Sequence, residues 1–151
     1  MLIVRRILLT IILLLALVYA GLVAYAYWPY PEGLPAKQLA GKDDQFIDVD
    51  GMQIRYRAWG EPAAGKPAIV LIHGFANSVT TFRRVAPLMG QDYYVIALDM
   101  PGFGLSAKPD DRDYSNPSQA AAVVDFIREL GLDNVVIGGH SMGGALALHV
   151  A

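Results

Sequence analysis

Residues 134–148 set a strand, a sharp turn and a helix in immediate succession. Asn134-Val135-Val136-Ile137-Gly138 is short, apolar and β-branched, the pattern of a buried strand. Gly143-Gly144-Ala145-Leu146-Ala147-Leu148 reads as the opening of a buried helix. Between them lies Gly139-His140-Ser141-Met142-Gly143, a G-x-S-x-G sequence. Glycines on either side of the serine permit a strained backbone and a close approach of strand to helix, which leaves the Ser141 hydroxyl exposed. A chain with this stretch is constrained to a fold in which a strand end presents a projecting hydroxyl.

Glycine and serine are common, so the motif gains weight from two upstream loops. The apolar run Ala68-Ile69-Val70-Leu71-Ile72 feeds His73-Gly74-Phe75-Ala76-Asn77. The run Tyr94-Val95-Ile96-Ala97-Leu98 feeds Asp99-Met100-Pro101-Gly102-Phe103-Gly104-Leu105-Ser106. All three loops leave the carboxyl ends of their strands, where open parallel sheets place their sites.

The rest of the scaffold follows from periodicity. Residues 46–50 and 52–59 alternate around Asp50-Gly51, a two-residue hairpin signal. Strands at 68–72, 93–98 and 134–138 are continuous apolar runs, as expected of parallel strands covered on both faces. Phe82, Val85, Ala86 and Met89 share one face of a predicted helix that Asn77 or Ser78 would cap. A second helix opens at Asn116-Pro117-Ser118-Gln119 as a capping box, with Ala120, Val123, Val124, Ile127 and Leu130 as its core face and Gly131 as its end.

In its His-Gly-Phe turn, its Asp-Met-Pro-Gly-Phe-Gly-Leu-Ser loop and its Gly-His-Ser-Met-Gly-Gly elbow, the chain resembles the α/β-hydrolase superfamily, in the serine esterase, lipase and carbon–carbon hydrolase branch. The related epoxide hydrolases and haloalkane dehalogenases carry Asp where this chain has Ser141. The resemblance is read over Phe46–Ala151, as the amino-terminal half of such a fold only. It implies an α/β class, an α/β-hydrolase fold truncated after the elbow helix begins. It also implies Ser141 as the catalytic nucleophile. The oxyanion-hole donors are expected to be the amides of Met142 and of Phe75, with Ala76 as the alternative to Phe75.

A serine hydroxyl needs a base oriented by a carboxylate. In this family the acid and then the histidine follow the serine. Only residues 142–151 follow Ser141, and His149 lies about 12 Å along the helix axis beyond it. His140 precedes the serine, and strand alternation points it away from the hydroxyl. His73 is expected to brace its loop and Asp99 to fix its own glycine loop. The chain therefore reads as an incomplete piece, expected to be inactive by itself, and residues 37–151 alone are expected to aggregate through the exposed apolar strand at 134–138. No cofactor is implied, and no metal-ligand spacing appears.

Hydrophobic residues make up 54% of the chain, much of the excess at one end. Ile7–Trp28 carries no charge, follows Arg5-Arg6, and closes on Tyr25, Tyr27, Trp28 and Tyr30. That is the pattern of a membrane helix with a cytoplasmic amino terminus and an interfacial aromatic belt, carrying an exported catalytic domain. The alternative is a signal peptide cleaved near Ala24-Tyr25-Ala26, which would release a secreted or periplasmic protein. The expected organisation is an anchor or signal peptide at 1–28, a linker at 29–45 stiffened by Pro29, Pro31 and Pro35, and a hydrolase-like domain at 46–151. A formal net charge of −2 with scattered basic residues argues against nucleic acid. The expected partners are a small acyl or ester substrate and, through the first helix, a membrane. A non-catalytic binding relative and a membrane-tethered structural piece are the alternatives.

Overall fold

A computed structural model describes residues 2–28 and 33–151. The chain divides into two compact units, Met1–Leu34 and Pro35–Ala151.

Among its described residues the first unit holds one helix, α1 (Leu2–Ala26), whose side chains are all exposed. With a mean hydropathy of 2.9 in its most apolar window, it is long and apolar enough to cross a membrane or to serve as a signal sequence. Tyr25, Tyr27 and Trp28 are exposed at its far end. Tyr30, Pro29 and Pro31, the remaining members of the expected aromatic cluster and stiff connector, lie outside the described residues.

The second unit begins with a single helical turn, α2 (Ala36–Leu39), and a hairpin of β1 (Gln45–Val49) and β2 (Met52–Trp59). Asp50 and Gly51 both take positive φ, 51° and 76°, the primed turn that matches the twist of a two-residue hairpin. Then come β3 (Ala68–Ile72), a 3-10 turn (Val79–Phe82), α3 (Ala86–Met89), β4 (Tyr94–Leu98), α4 (Asn116–Glu129), β5 (Val135–Gly139) and α5 (Met142–Val150). The sheet order is β1-β2-β4-β3-β5. β2 joins β1 and β4 antiparallel, while β3 runs parallel to both β4 and β5.

Strand alternation sorts the core into two layers. Val70, Ile72, Ile96 and Leu98 face Val123, Phe126 and Leu146 from α4 and α5. Ile69, Leu71, Val95 and Ala97 face Val79, Phe82 and Ala86. Strand β3, between β4 and β5, is buried along its whole length, whereas β5 lies at the sheet edge with Val136 exposed.

Two expectations about helices are corrected. The single helix expected beyond Ser78 is a 3-10 turn and a separate α3, because Pro87 lacks an amide hydrogen and its ring crowds the carbonyl four residues back. Ser78 does cap the first of these, its Oγ accepting from the amide of Thr80 at 3.3 Å. The capping box at Asn116 does not form. The cap residue of α4 is Ser115, without a side-chain bond, and Gln119 turns its amide elsewhere.

Candidate functional site

The register places three loops on one rim of the sheet. Ile72 pairs with Leu98 on one side and Gly139 on the other, so the segments starting at His73, Asp99 and His140 leave the sheet side by side. His140 extends the last pairing, its amide donating to Ile72 O at 3.0 Å. The chain then turns at Ser141, with φ 55° and ψ −119°, before entering α5. A residue other than glycine in this region is strained. The surrounding glycines make the turn possible. A side chain on Gly139 would overlap the carbonyl of Gly143, and one on Gly143 would overlap the carbonyl of Ile72. Backbone meets backbone at both places. Ser141 is exposed, and the loop at Gly74 abuts it, since a Cβ on Gly74 would lie 3.2 Å from the Ser141 Cβ.

The loop after β3 is held by His73, which is fully buried. Its Nε2 accepts from the amide of Met100 at 3.1 Å, and its Nδ1 lies 2.7 Å from Gly74 O. An amide can only donate and a carbonyl only accept, so the ring is neutral with its proton on Nδ1. Burial pushes the imidazole below its ordinary range, against the opposing pull of the Gly74 carbonyl and Asp99. With both nitrogens engaged, His73 braces two loops and has no free position for proton transfer to a substrate.

The loop after β4 is held by Asp99, also fully buried. Oδ1 accepts from the amide of Val79 at 2.7 Å, and Oδ2 accepts from the amide of Leu105 at 2.7 Å and from Arg55 Nη1 at 2.9 Å. Gly104 takes φ 52° against this carboxylate, where a Cβ would collide with it. Arg55 also reaches Asp44 at 2.7 Å, and Arg57 pairs with the same carboxylate. Burial raises the Asp44 carboxyl, but hydrogen bonds from Arg57 and Arg55 outweigh it and hold the group below its usual range. Ser106 closes the network, accepting from the Arg55 amide at 2.9 Å and donating to Asp99 O at 2.7 Å. Sequence reading expected Asp99 to fix its own glycine loop. It did not find Arg55, Asp44 or Ser106, whose partners lie far off in sequence.

Beside Ser141 opens a cleft of about 590 Å³, walled by Phe75, Phe103, Tyr114, Met142 and Leu146 among others. Phe75 is 75% exposed and stands edge-on to Phe103, ring centroids 5.7 Å apart. Phe75 and Met142, the expected oxyanion donors, thus border one space. Among the described residues neither amide donates a hydrogen bond within the protein. Met142 is the first residue of α5, where an amide has no acceptor within its helix and meets the positive end of the helix dipole. Ala76, the alternative to Phe75, takes φ 52°. No histidine is hydrogen-bonded to Ser141 among the described residues; His140 and His149 are exposed. No cluster of potential metal ligands occurs among them either.

A family model described as alpha/beta hydrolase fold matches residues 67–151. The chain is 38% identical over 103 residues to the uncharacterized hydrolase YugF of Bacillus subtilis (strain 168), covering 68% of this chain and 37% of that protein. It is 37% identical over 124 residues to the 2-hydroxy-6-oxo-6-(2'-aminophenyl)hexa-2,4-dienoic acid hydrolase of Metapseudomonas resinovorans, covering 80% of this chain and 41% of the relative. The crystal structure of a membrane phospholipase A, a bacterial virulence factor, matches with a TM-score of 0.68 at 33% identity, over 97% of this chain and 47% of the other. The chain thus spans less than half the length of these relatives. The bound placed on the resemblance, Phe46–Ala151 as an amino-terminal half only, is corrected: the likeness runs over nearly the whole chain, the segment before Phe46 included.

Proposed function

We propose, from the premise that the chain belongs to the alpha/beta hydrolase fold family, that it serves as a serine hydrolase of ester or related acyl substrates. The observation that carries this reading is the backbone at Ser141. A serine held at φ 55° on a strand-to-helix turn, exposed beside a cleft, is strained for no structural benefit unless the hydroxyl is used. In this reading Ser141 Oγ attacks the substrate carbonyl while a base takes its proton. The amides of Met142 and Phe75 (or Ala76) hold the tetrahedral oxyanion, each donor contributing about 2.7–4 kcal/mol to the chemical step. The alcohol leaves with the proton, and water releases the acyl group by the same route. No cofactor is needed. The reaction also needs a general base at Ser141, and His73, with both ring nitrogens engaged, is not that base. The phospholipase A and dienoic acid hydrolase relatives support hydrolysis as the reaction class.

In the same reading residues 1–28 anchor the protein, 29–45 link, and 46–151 carry the hydrolase-like domain. α1 spans the membrane with Arg5-Arg6 on the cytoplasmic side and Tyr25, Tyr27 and Trp28 at the far interface, so that Ser141 works outside the cytoplasm. Cleavage at Ala24-Tyr25-Ala26 is the alternative fate of the same segment. A second reading is a relative that binds a small acyl compound without turning it over.

The test, run on the protein with its general base in place, is labelling with a fluorophosphonate probe and hydrolysis of a short-chain p-nitrophenyl ester. Modification mapped to Ser141, and lost with turnover in Ser141→Ala, is the expected result. Ester turnover that survives Ser141→Ala overturns the nucleophile, and binding without labelling or turnover selects the second reading.

A further inference from the structure

We propose that Asp44, in the segment leading into β1, is a positioning residue for the cleft: it holds Arg55 so that Asp99 keeps the Phe103 wall in place. The consequence for catalysis rests on the hydrolase reading; the placement of the wall does not.

Asp44 lies ahead of the first strand, in the stretch 29–45 that sequence alone reads as a linker. A linker carboxylate is expected in water, yet the Asp44 side chain is only 1% exposed. Its Oδ2 accepts from the amide of Gly41 at 2.8 Å, and its Oδ1 accepts from Arg55 Nη2 at 2.7 Å and from Arg57 Nε. Arg55 divides its guanidinium between two acids, since Nη1 reaches Asp99 Oδ2 at 2.9 Å. Its Nε has no hydrogen-bond partner, so the two acids between them set where the group lies.

From Asp99 the cleft is one step away. The β4 loop is tied to β2 at both ends, by the Asp99 amide to Arg55 O at 2.8 Å and by the Ala107 amide to Gln53 O at 2.9 Å. Between those ties the Asp99 carboxylate supports the loop from within. It accepts from the Leu105 amide at 2.7 Å, and a Cβ on Gly104 would lie 1.9 Å from its Oδ2, so backbone is wrapped closely on the carboxylate. Gly102 and Phe103, on the same stretch, line the cleft. Without Asp44, the freed Nη2 of Arg55 has Asp99 as the remaining acid of the network. A guanidinium with one carboxylate favours the two-bond, bidentate pairing. That pairing draws on both Asp99 oxygens, which already accept the amides of Val79 and Leu105. Ion-pair hydrogen bonds are about twice as strong as neutral ones, so the amides yield and the Phe103 wall shifts. Arg57 provides the contrast: it pairs with Asp44 and not with Asp99, and its side chain is 24% exposed.

The experiment uses the full chain in detergent micelles, with isotope-labelled amides and phenylalanine rings read by NMR. The first readout is the exchange rate of the Leu105 and Val79 amides divided by that of Val70, which lies in buried β3 and carries any global loss of stability. In Asp44→Asn this ratio is expected to rise about tenfold, the size of one hydrogen bond lost, and the Phe103 ring resonances to shift. In Arg57→Met neither changes. A merely structural role for Asp44 would speed all three amides together and leave the ratio unmoved. An unchanged ratio, an unmoved Phe103 ring, or an equal response in Arg57→Met each overturns the proposal. If Asp44→Asn fails to fold, Gly41→Pro decides. It removes the amide hydrogen that Asp44 Oδ2 accepts, and Ala40, at φ −68° and ψ 137°, suits a following proline. Changes of the same sign are expected there, and their absence overturns the proposal. Failure of the hydrolase reading looks different: no labelling of Ser141 in the protein with its general base in place, with the exchange ratio and the Phe103 ring still measurable.

Discussion

Two adjacent glycines in α5 are expected to respond to alanine with opposite signs. Gly144 sits in a regular helical turn, and an added Cβ would meet only the Gly139 carbonyl oxygen, at an ordinary 3.6 Å. Gly144→Ala should therefore stabilise by about 0.5–1 kcal/mol, the helix preference of alanine over glycine. At Gly143 the same Cβ would overlap the Ile72 carbonyl oxygen and lie 2.6 Å from that of His73. Those atoms belong to the end of the most buried strand and to the braced loop, so α5 must retreat rather than its neighbour. Overpacking that backbone cannot relieve costs about 3 kcal/mol, and the helix preference returns about 1, leaving about 2 kcal/mol of net destabilisation. The two variants should then differ by about 3 kcal/mol, a roughly hundredfold difference in the opening equilibrium. Hydrogen exchange of the β3 amides, measured on the full chain in micelles, reads that equilibrium. Equal protection in Gly143→Ala and the parent would show that α5 does not pack on β3 at this distance. Weaker protection in Gly144→Ala would refute the helical assignment of the turn after Ser141.

Three further outcomes follow from the site. Ser141→Gly should raise stability by about 1–3 kcal/mol while removing the hydroxyl, because glycine accepts φ 55° freely; an unchanged urea midpoint would mean the turn is not strained. Asp99→Asn should destabilise by about 3–5 kcal/mol, since it breaks a buried ion pair and turns an amide donor toward groups that also donate; a shift below about 1 kcal/mol would show that Arg55 is not dependent on it. His73 has a folded-state pKa below its ordinary 6.5, so on acidification the unfolded chain takes up the proton first. The stability contributed by neutral His73 is thus complete above pH 6.5 and is lost below it, by up to about 1.4 kcal/mol per pH unit, until the folded pKa is reached. Urea midpoints between about pH 7 and 5 should fall in the parent and stay flatter in His73→Gln, and parallel profiles would exclude the mechanism.

The parts of the fold legible in sequence are those written locally. The strands at Ala68–Ile72 and Tyr94–Leu98 are apolar without interruption because both faces are covered, and Asp50-Gly51 announces its turn because few other pairs accept two positive φ values. Pro87 carried an equally local message, the break between the 3-10 turn and α3, and periodicity alone passed over it. Arg55 was harder. In an alternating strand a charged residue reads as the solvent side, but Ile54, Arg55 and Tyr56 are all buried, and Asp44, Asp99 and Ser106 meet Arg55 on the other face. Its partners are 11 and 44 positions away, beyond any local pattern. Gln119 shows the converse: a cap at Asn116 would place it at the third helical position, but α4 is capped one residue earlier by Ser115, and Gln119 Nε2 donates to Pro101 O instead.

Asp99 ties strand β2, the Val79 turn and the Leu105 loop to a single carboxylate, and His73 joins that loop to the neighbouring one. The two walls of the cleft are consequently not interchangeable modules. A loop transplanted from a relative arrives without its counter-ion, so any redesign of substrate range has to move Arg55, His73 and Asp99 as one cassette or confine itself to side chains that hang from the finished frame.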